Sequence, residues 1–109
     1  MESKEMNMNF YQTQIEQLDL YPNNVEGTLA IALGLGNEAG EVQGIFKKYV
    51  RDSYYDVDKV KAELGDVLWY LATLSRRCGF TLEDVAQYNL DKLFSRKERG
   101  TLQGSGDSR

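Results

Sequence analysis

The chain has 109 residues and a mass of 12.4 kDa, the size of one small domain. With 41% apolar residues, 28% charged residues and one proline, it has a folding composition rather than a collagen-like or disordered one. A formal charge of −4 and a pI near 4.8 argue against a nucleic-acid polymer or an anionic membrane as principal partner.

No apolar run approaches the ~18 residues of a membrane span, and the charged start (Glu2, Lys4, Glu5) is followed by no apolar segment of the secretory kind. Cys78 is the sole cysteine, so no internal disulfide forms and a cytoplasmic setting is the simpler expectation. The chain contains no histidine. Ser-His-Asp and Cys-His catalysis, His-ligated zinc and Glu-x-x-His di-iron sites are therefore excluded. Chemistry has to run on carboxylates, lysine, arginine, tyrosine and hydroxyls, which suit hard cations and phosphates.

The apolar periodicity predicts four helices. The first runs from about Asn7 to Leu18 with Tyr11, Ile15 and Leu18 on one stripe, and ends before Tyr21-Pro22. After the turn Tyr21–Asn24, the second covers Val25 to Arg51. Tyr54–Asp58 breaks the pattern, with Asp56 or Asp58 available as a cap. The third helix is expected from Lys59 to Cys78, with Val60, Leu64, Val67, Leu71 and Leu74 as its stripe. Gly79 suits the left-handed position that closes it, and Thr81 with Asp84 forms a capping box for the fourth. Phe80 and Val85 occupy hydrophobic-staple positions, so the last two helices are expected to form an antiparallel hairpin. The fourth helix reaches Arg99 and stops at Gly100. Residues 1–100 thus read as one helical domain. Residues 101–109 read as a tail of linker composition, either flexible or folded over a bound substrate.

The second helix carries an anomaly. At ~100° per residue, Ile31, Leu35, Val42, Ile45, Phe46 and Tyr49 share one face, and Glu38 falls inside that arc with Glu41 at its edge. An uncompensated carboxylate there is expensive. The third helix repeats the arrangement, with Glu63 flanking the apolar stripe, Asp66 one step beyond and Tyr70 between their directions. Glu-x-x-Glu alone in an acidic chain reads as a solvated helix face. Two such pairs beside two buried faces instead converge four carboxylates, which Mg²⁺ or Mn²⁺ would neutralise. On the fourth helix Asn89, Lys92 and Arg96 form a stripe. It either snorkels beside the core or supplies the cationic half of a polyphosphate site.

Gly36, Gly40 and Gly44 lie away from Glu38 and suggest close approach of another helix, from the same chain or a partner. Gly34 is placed to leave room for a ligand. Trp69 and Ala62 point away from the third helix's stripe, toward the first helix or a subunit interface.

The segments Leu33-Gly34-Leu35-Gly36-Asn37-Glu38-Ala39-Gly40-Glu41-Val42 and Lys61-Ala62-Glu63-Leu64-Gly65-Asp66-Val67-Leu68-Trp69-Tyr70 resemble the MazG-like nucleoside triphosphate pyrophosphohydrolases, with 21 residues between Glu41 and Glu63. The likeness runs on through Asn89-Leu90-Asp91-Lys92-Leu93 and Arg99-Gly100-Thr101-Leu102, and covers about Leu33 to Arg109. It implies an all-α MazG-like bundle of about four helices, completed by homo-oligomerisation into a dimer or tetramer. It also implies Mg²⁺-dependent cleavage of a nucleoside triphosphate to the monophosphate and pyrophosphate, for nucleotide-pool control or house-cleaning. Carried over, Glu38, Glu41, Glu63 and Asp66 hold the metal and form the catalytic set, with Glu38 favoured as the group that deprotonates water. Tyr70, Asn89, Lys92 and Arg96 contact substrate. The alternatives are a relative acting on another pyrophosphate-linked metabolite such as phosphoribosyl-ATP, or a non-catalytic oligomeric module that binds metal or nucleotide. Base and sugar preference have no signal in the residues.

Overall fold

Side-chain caps set the helix boundaries. A computed structural model describes residues 5–109, so Glu2 and Lys4 lie outside it. Asn7 accepts from the Phe10 amide at 2.8 Å and opens α1, Met8–Ile15, which tightens into a 3₁₀ turn over Glu16–Leu18. Asn24 accepts from the Gly27 amide at 2.9 Å and opens α2, Val25–Asp52. Asp56, rather than Asp58, caps α3, Val57–Arg77, which therefore starts two residues earlier than the periodicity suggested. Gly79 closes α3 at φ 89°, as expected. Thr81 and Asp84 make the reciprocal capping box of α4, Leu82–Glu98, at 2.9 and 3.0 Å. No helix is long and apolar enough to cross a membrane, among the described residues.

The extensive contact is α2 against α3. Ile31 and Ile45 of α2 are buried, as their helical face requires, and Leu35 and Val42 are half-buried. Phe46 and Tyr49, expected on the same face, are exposed and pack on Tyr55 instead, with ring centroids 5.4 and 5.3 Å away. Leu64 departs from the expected α3 stripe and is 52% exposed, because α2 covers only part of that face.

Helix α3 has a second buried face that the stripe does not include. Ala72 joins Ile15 of α1 and Leu82 of α4 in a core flanked by Tyr11, Leu68, Trp69 and Leu71. Trp69, half-buried, thus packs inward against this core, the first-helix side of the expectation. Leu18, expected on the α1 stripe, is exposed, and Gln12 takes an inward position. Its Nε2 donates to the carbonyls of Ala72 and Phe80 at 3.0 and 3.2 Å, and its Oε1 accepts from the Leu82 amide at 3.1 Å. One buried amide therefore stitches α1 to the α3–α4 junction.

The expected α3/α4 hairpin is open. Leu82 is the single buried apolar residue of α4, whose contact with α3 is far smaller than that of α2. The Cα radius of gyration is 16.9 Å, against about 13 Å for a compact chain of this length. A Cβ built at Gly36, Gly40 or Gly44 would meet nothing within 4 Å, so among the described residues no helix approaches that stripe.

The connection between α1 and α2 is pinned by Asp19. Its carboxylate accepts from Arg77 Nε and Nη2, both at 2.9 Å, and from Arg76 Nη2, and its side chain is nearly fully buried. Burial alone would raise its pKa; the Arg77 and Tyr21 hydrogen bonds and the two guanidinium charges outweigh that and hold it below the ordinary carboxylate value. This contribution to stability is intact above about pH 4 and is lost as pH falls through the lowered native value. Asp19→Asn, which leaves Arg77 buried without its counter-ion, is expected to destabilise the fold by about 3 kcal/mol in urea unfolding and to flatten this acid response.

Candidate metal and phosphate site

The α2/α3 contact decides where the acids go. Because Glu38 lies on the packed arc of α2, it is carried toward α3, where Glu63 and Asp66 sit one turn apart. One carboxylate oxygen from each of Glu38, Glu63 and Asp66 lies within 4.8 Å of the others, with Glu38 and Glu63 half-buried and Asp66 exposed. Ligands on opposite sides of an octahedral Mg²⁺ stand ~4.2 Å apart, so the trio is close to a ligating arrangement. No lysine or arginine pairs with any of the three among the described residues. Partial burial, followed by the charges of Asp66, Glu63 and Glu41, raises the pKa of Glu38. An oxygen-only, uncompensated donor set of this kind fits a hard divalent cation.

Glu41 does not join the trio. It is exposed, and its charge is felt at Glu38. Tyr70 does lie beside the acids. Its hydroxyl shares a 2.8 Å hydrogen bond with that of Tyr21, and its ring meets Tyr21 and Trp69 edge-on. The Tyr21 hydrogen bond, burial and the nearby charges of Tyr21, Glu38 and Asp66 push its pKa up to about 12, so Tyr70 remains a neutral phenol.

The space at Gly34 is filled by this ring and is not left for a ligand. A Cβ built there would lie 2.7 Å from Cδ1 and 2.8 Å from Cζ of Tyr70. Gly34 is thus a packing requirement of Tyr70.

Asn89, Lys92 and Arg96 are not joined to the trio. Among the described residues no hydrogen bond or ion pair links α4 to α2. Asn89 and Lys92 line a groove of about 450 Å³ with Phe80, Val85 and Tyr88. Lys92 and Arg96 engage Asp107 of the C-terminal segment, at 3.2 and 3.1 Å. Sequence reasoning missed Asp107, because Gly104-Ser105-Gly106 beside it has the composition of a linker.

A family model for the MazG nucleotide pyrophosphohydrolase domain matches residues 26–101, from the start of α2 to just beyond α4. The chain belongs to the MazG family. The all-α bundle expected from the resemblance is thereby established for it, together with the family's general link to nucleotide pyrophosphohydrolysis. The chain is also 40% identical over 114 residues to the Gene 37 protein of Mycobacterium phage L5, an alignment covering 95% of this chain and all of that protein. No solved structure matches it.

Two substitutions report on this MazG site without an activity assay. Glu38→Gln removes the most strained charge, so the metal-free protein should melt higher than wild type near neutral pH, while the increment given by added Mg²⁺ should shrink. In wild type the raised Glu38 pKa means that metal-free stability falls as pH rises through the native value, and the substitution should flatten that slope. Gly34→Ala should destabilise the fold by about 1–3 kcal/mol through overpacking against Tyr70, measured by urea unfolding.

Proposed function

We propose that this MazG-family chain is a divalent-metal-dependent nucleotide pyrophosphohydrolase that cleaves a nucleoside or deoxynucleoside triphosphate to the monophosphate and pyrophosphate. The observation that carries the reading is the convergence of Glu38, Glu63 and Asp66 without a cationic partner. Those residues would hold Mg²⁺, or Mn²⁺ in its place, with Glu41 on the approach side. Bound there, a divalent ion supplies charge compensation for phosphate oxygens and promotes ionisation of water.

The chain's own groups supply the rest. In this reading Glu38, on the packed arc of α2, takes a proton from the attacking water at its carboxylate. The water oxygen bonds to the α-phosphorus, the bond from that phosphorus to the α–β bridging oxygen breaks, and pyrophosphate leaves. Tyr70, held neutral, donates a hydrogen bond to a phosphate or sugar oxygen. Lys92 and Arg96 offset phosphate charge, and Asn89 borders the groove beside them.

The working form in this reading is a homo-oligomer, dimer or tetramer, in the cytoplasm. An elongated protomer, exposed side chains such as Leu33 (77%) and Val50 (84%), and the open Gly36/Gly40/Gly44 stripe of α2 support it. Assembly would also bring the cationic stripe of α4 against the acids of α2 and α3, a meeting for which a single chain provides no link. The role is pool control of one nucleotide or removal of unwanted ones.

A panel of NTPs and dNTPs with pyrophosphate detection, in Mg²⁺, Mn²⁺ and EDTA, tests the proposal. Pyrophosphate release that EDTA abolishes is expected. Glu63→Gln and Glu41→Gln should each lower kcat/KM by at least about 100-fold with helical content unchanged. Release only from phosphoribosyl-ATP would assign the chain to that related reaction. Metal or nucleotide binding without release from any substrate would leave a non-catalytic binding module.

A further inference from the structure

The C-terminal segment is a built loop. Gly100, Gly104 and Gly106 adopt φ values of 73°, 145° and 85°, which turn residues 100–109 back along α4. Arg109 closes it. Its guanidinium donates to the carbonyls of Thr101 and Leu102 at 3.0 Å each and to that of Gly106, while Arg99 donates to the Arg109 carbonyl at 3.0 Å. None of these closing bonds uses Asp107. Its Oδ1 accepts from Lys92 Nζ and Arg96 Nη2, and its backbone carbonyl accepts from the same Nη2 at 2.7 Å.

The burial is lopsided. The Arg96 side chain is 4% exposed and that of Asp107 is 86% exposed. Between loop and helix lies a cavity of about 470 Å³, within the size range of small-ligand sites. Lys92, Arg96, Arg99 and Arg109 line it against only two acidic side chains, Asp91 and Asp107. Asp107 does not exhaust the donors. Lys92 spends one of its three N–H groups on it, and the Nε of Arg96 is buried with no partner. Surplus positive charge with unused donors is what a phosphate-bearing polyanion needs.

We propose that Asp107 and Arg109 are positioning residues of the phosphate clamp, the loop fixing Lys92 and Arg96 side by side to receive a pyrophosphate-type anion in this cavity. The inference rests on the reading of Lys92 and Arg96 as phosphate-binding groups. The opposite role, a carboxylate plug that substrate displaces by turning the exposed Asp107 side chain aside, predicts tighter anion binding once that carboxylate is neutralised. The carboxylate instead orients a buried guanidinium whose charge has no other partner among the described residues.

Calorimetric titration of the full chain with inorganic tripolyphosphate in EDTA tests this, alongside KM and kcat for whichever nucleotide is cleaved. Asp107→Asn should weaken tripolyphosphate binding about tenfold and raise KM with kcat little changed. Asp107→Glu should restore most of the affinity, and Arg109→Gln should weaken it by releasing the loop. Helical content should hold in Asp107→Asn, and any fall in melting temperature, from the buried Arg96 losing its counter-ion, should be recovered together with the affinity in Asp107→Glu. Unchanged or tighter binding in Asp107→Asn overturns the proposal, as does a wild-type chain that binds no tripolyphosphate. Weakened binding in a protein that hydrolyses no nucleotide sustains the positioning role and removes the hydrolase reading instead.

Discussion

Packing α2 on α3 sets two demands against each other. The apolar arc that buries Ile31 and Ile45 also carries Glu38, so the contact that stabilises the helices brings a carboxylate against Glu63 and Asp66. In a fold selected for stability alone, a lysine or arginine would face that trio. Among the described residues no cation does so; Arg76 and Arg77 pair with Asp19, and Lys92 and Arg96 with Asp107. The acids are therefore left uncompensated, and partial burial together with the charges of Asp66, Glu63 and Glu41 raises the pKa of Glu38. A site that tolerates such repulsion when empty is suited to a doubly charged guest.

The surrounding structure fixes this cluster from both sides. Asp19 locks the α1–α2 connection to the end of α3, and from that connection Tyr21 reaches Tyr70. Tyr70 in turn rests in the space left by Gly34, on the same helix as Glu38. The floor of the acid cluster is thus braced by a chain of named contacts and does not depend on loose surface side chains.

Local chemistry was legible in the residues, and tertiary choices were not. Asn24, Thr81/Asp84 and Gly79 mark helix ends because capping uses groups within a few positions of one another, and those ends stand where expected. The inward placement of Glu38 followed from its position among Ile31, Leu35, Val42 and Ile45. Of the four carboxylates whose matching spacing on two helices predicted convergence, three meet and Glu41, at the edge of its arc, does not. What periodicity misses is a residue serving two masters. Helix α3 has two buried faces, so Trp69 looked outward when judged by the stripe facing α2 alone. Gln12 carries no local signal of its inward role, because its three partners lie 60 to 70 positions away. Asp107 was hidden by a glycine-rich setting whose left-handed turns give the same composition as a flexible linker.

The single-residue anchoring of α4 has a consequence for how the chain moves. With Leu82 as its only buried apolar residue, α4 is held by a cap, the Gln12 stitch, an exposed Asn9–Glu83 hydrogen bond and its own tail loop. The α2/α3 pair is held along its length. The free energy of opening is therefore tiered: amides of α4 exchange with solvent through local release, while those in the middle of α2 and α3 await global unfolding. The basic half of the site rides on the soft tier and the acidic half on the stiff one, so a nucleotide spanning both would find one wall already rigid and would have to immobilise the other.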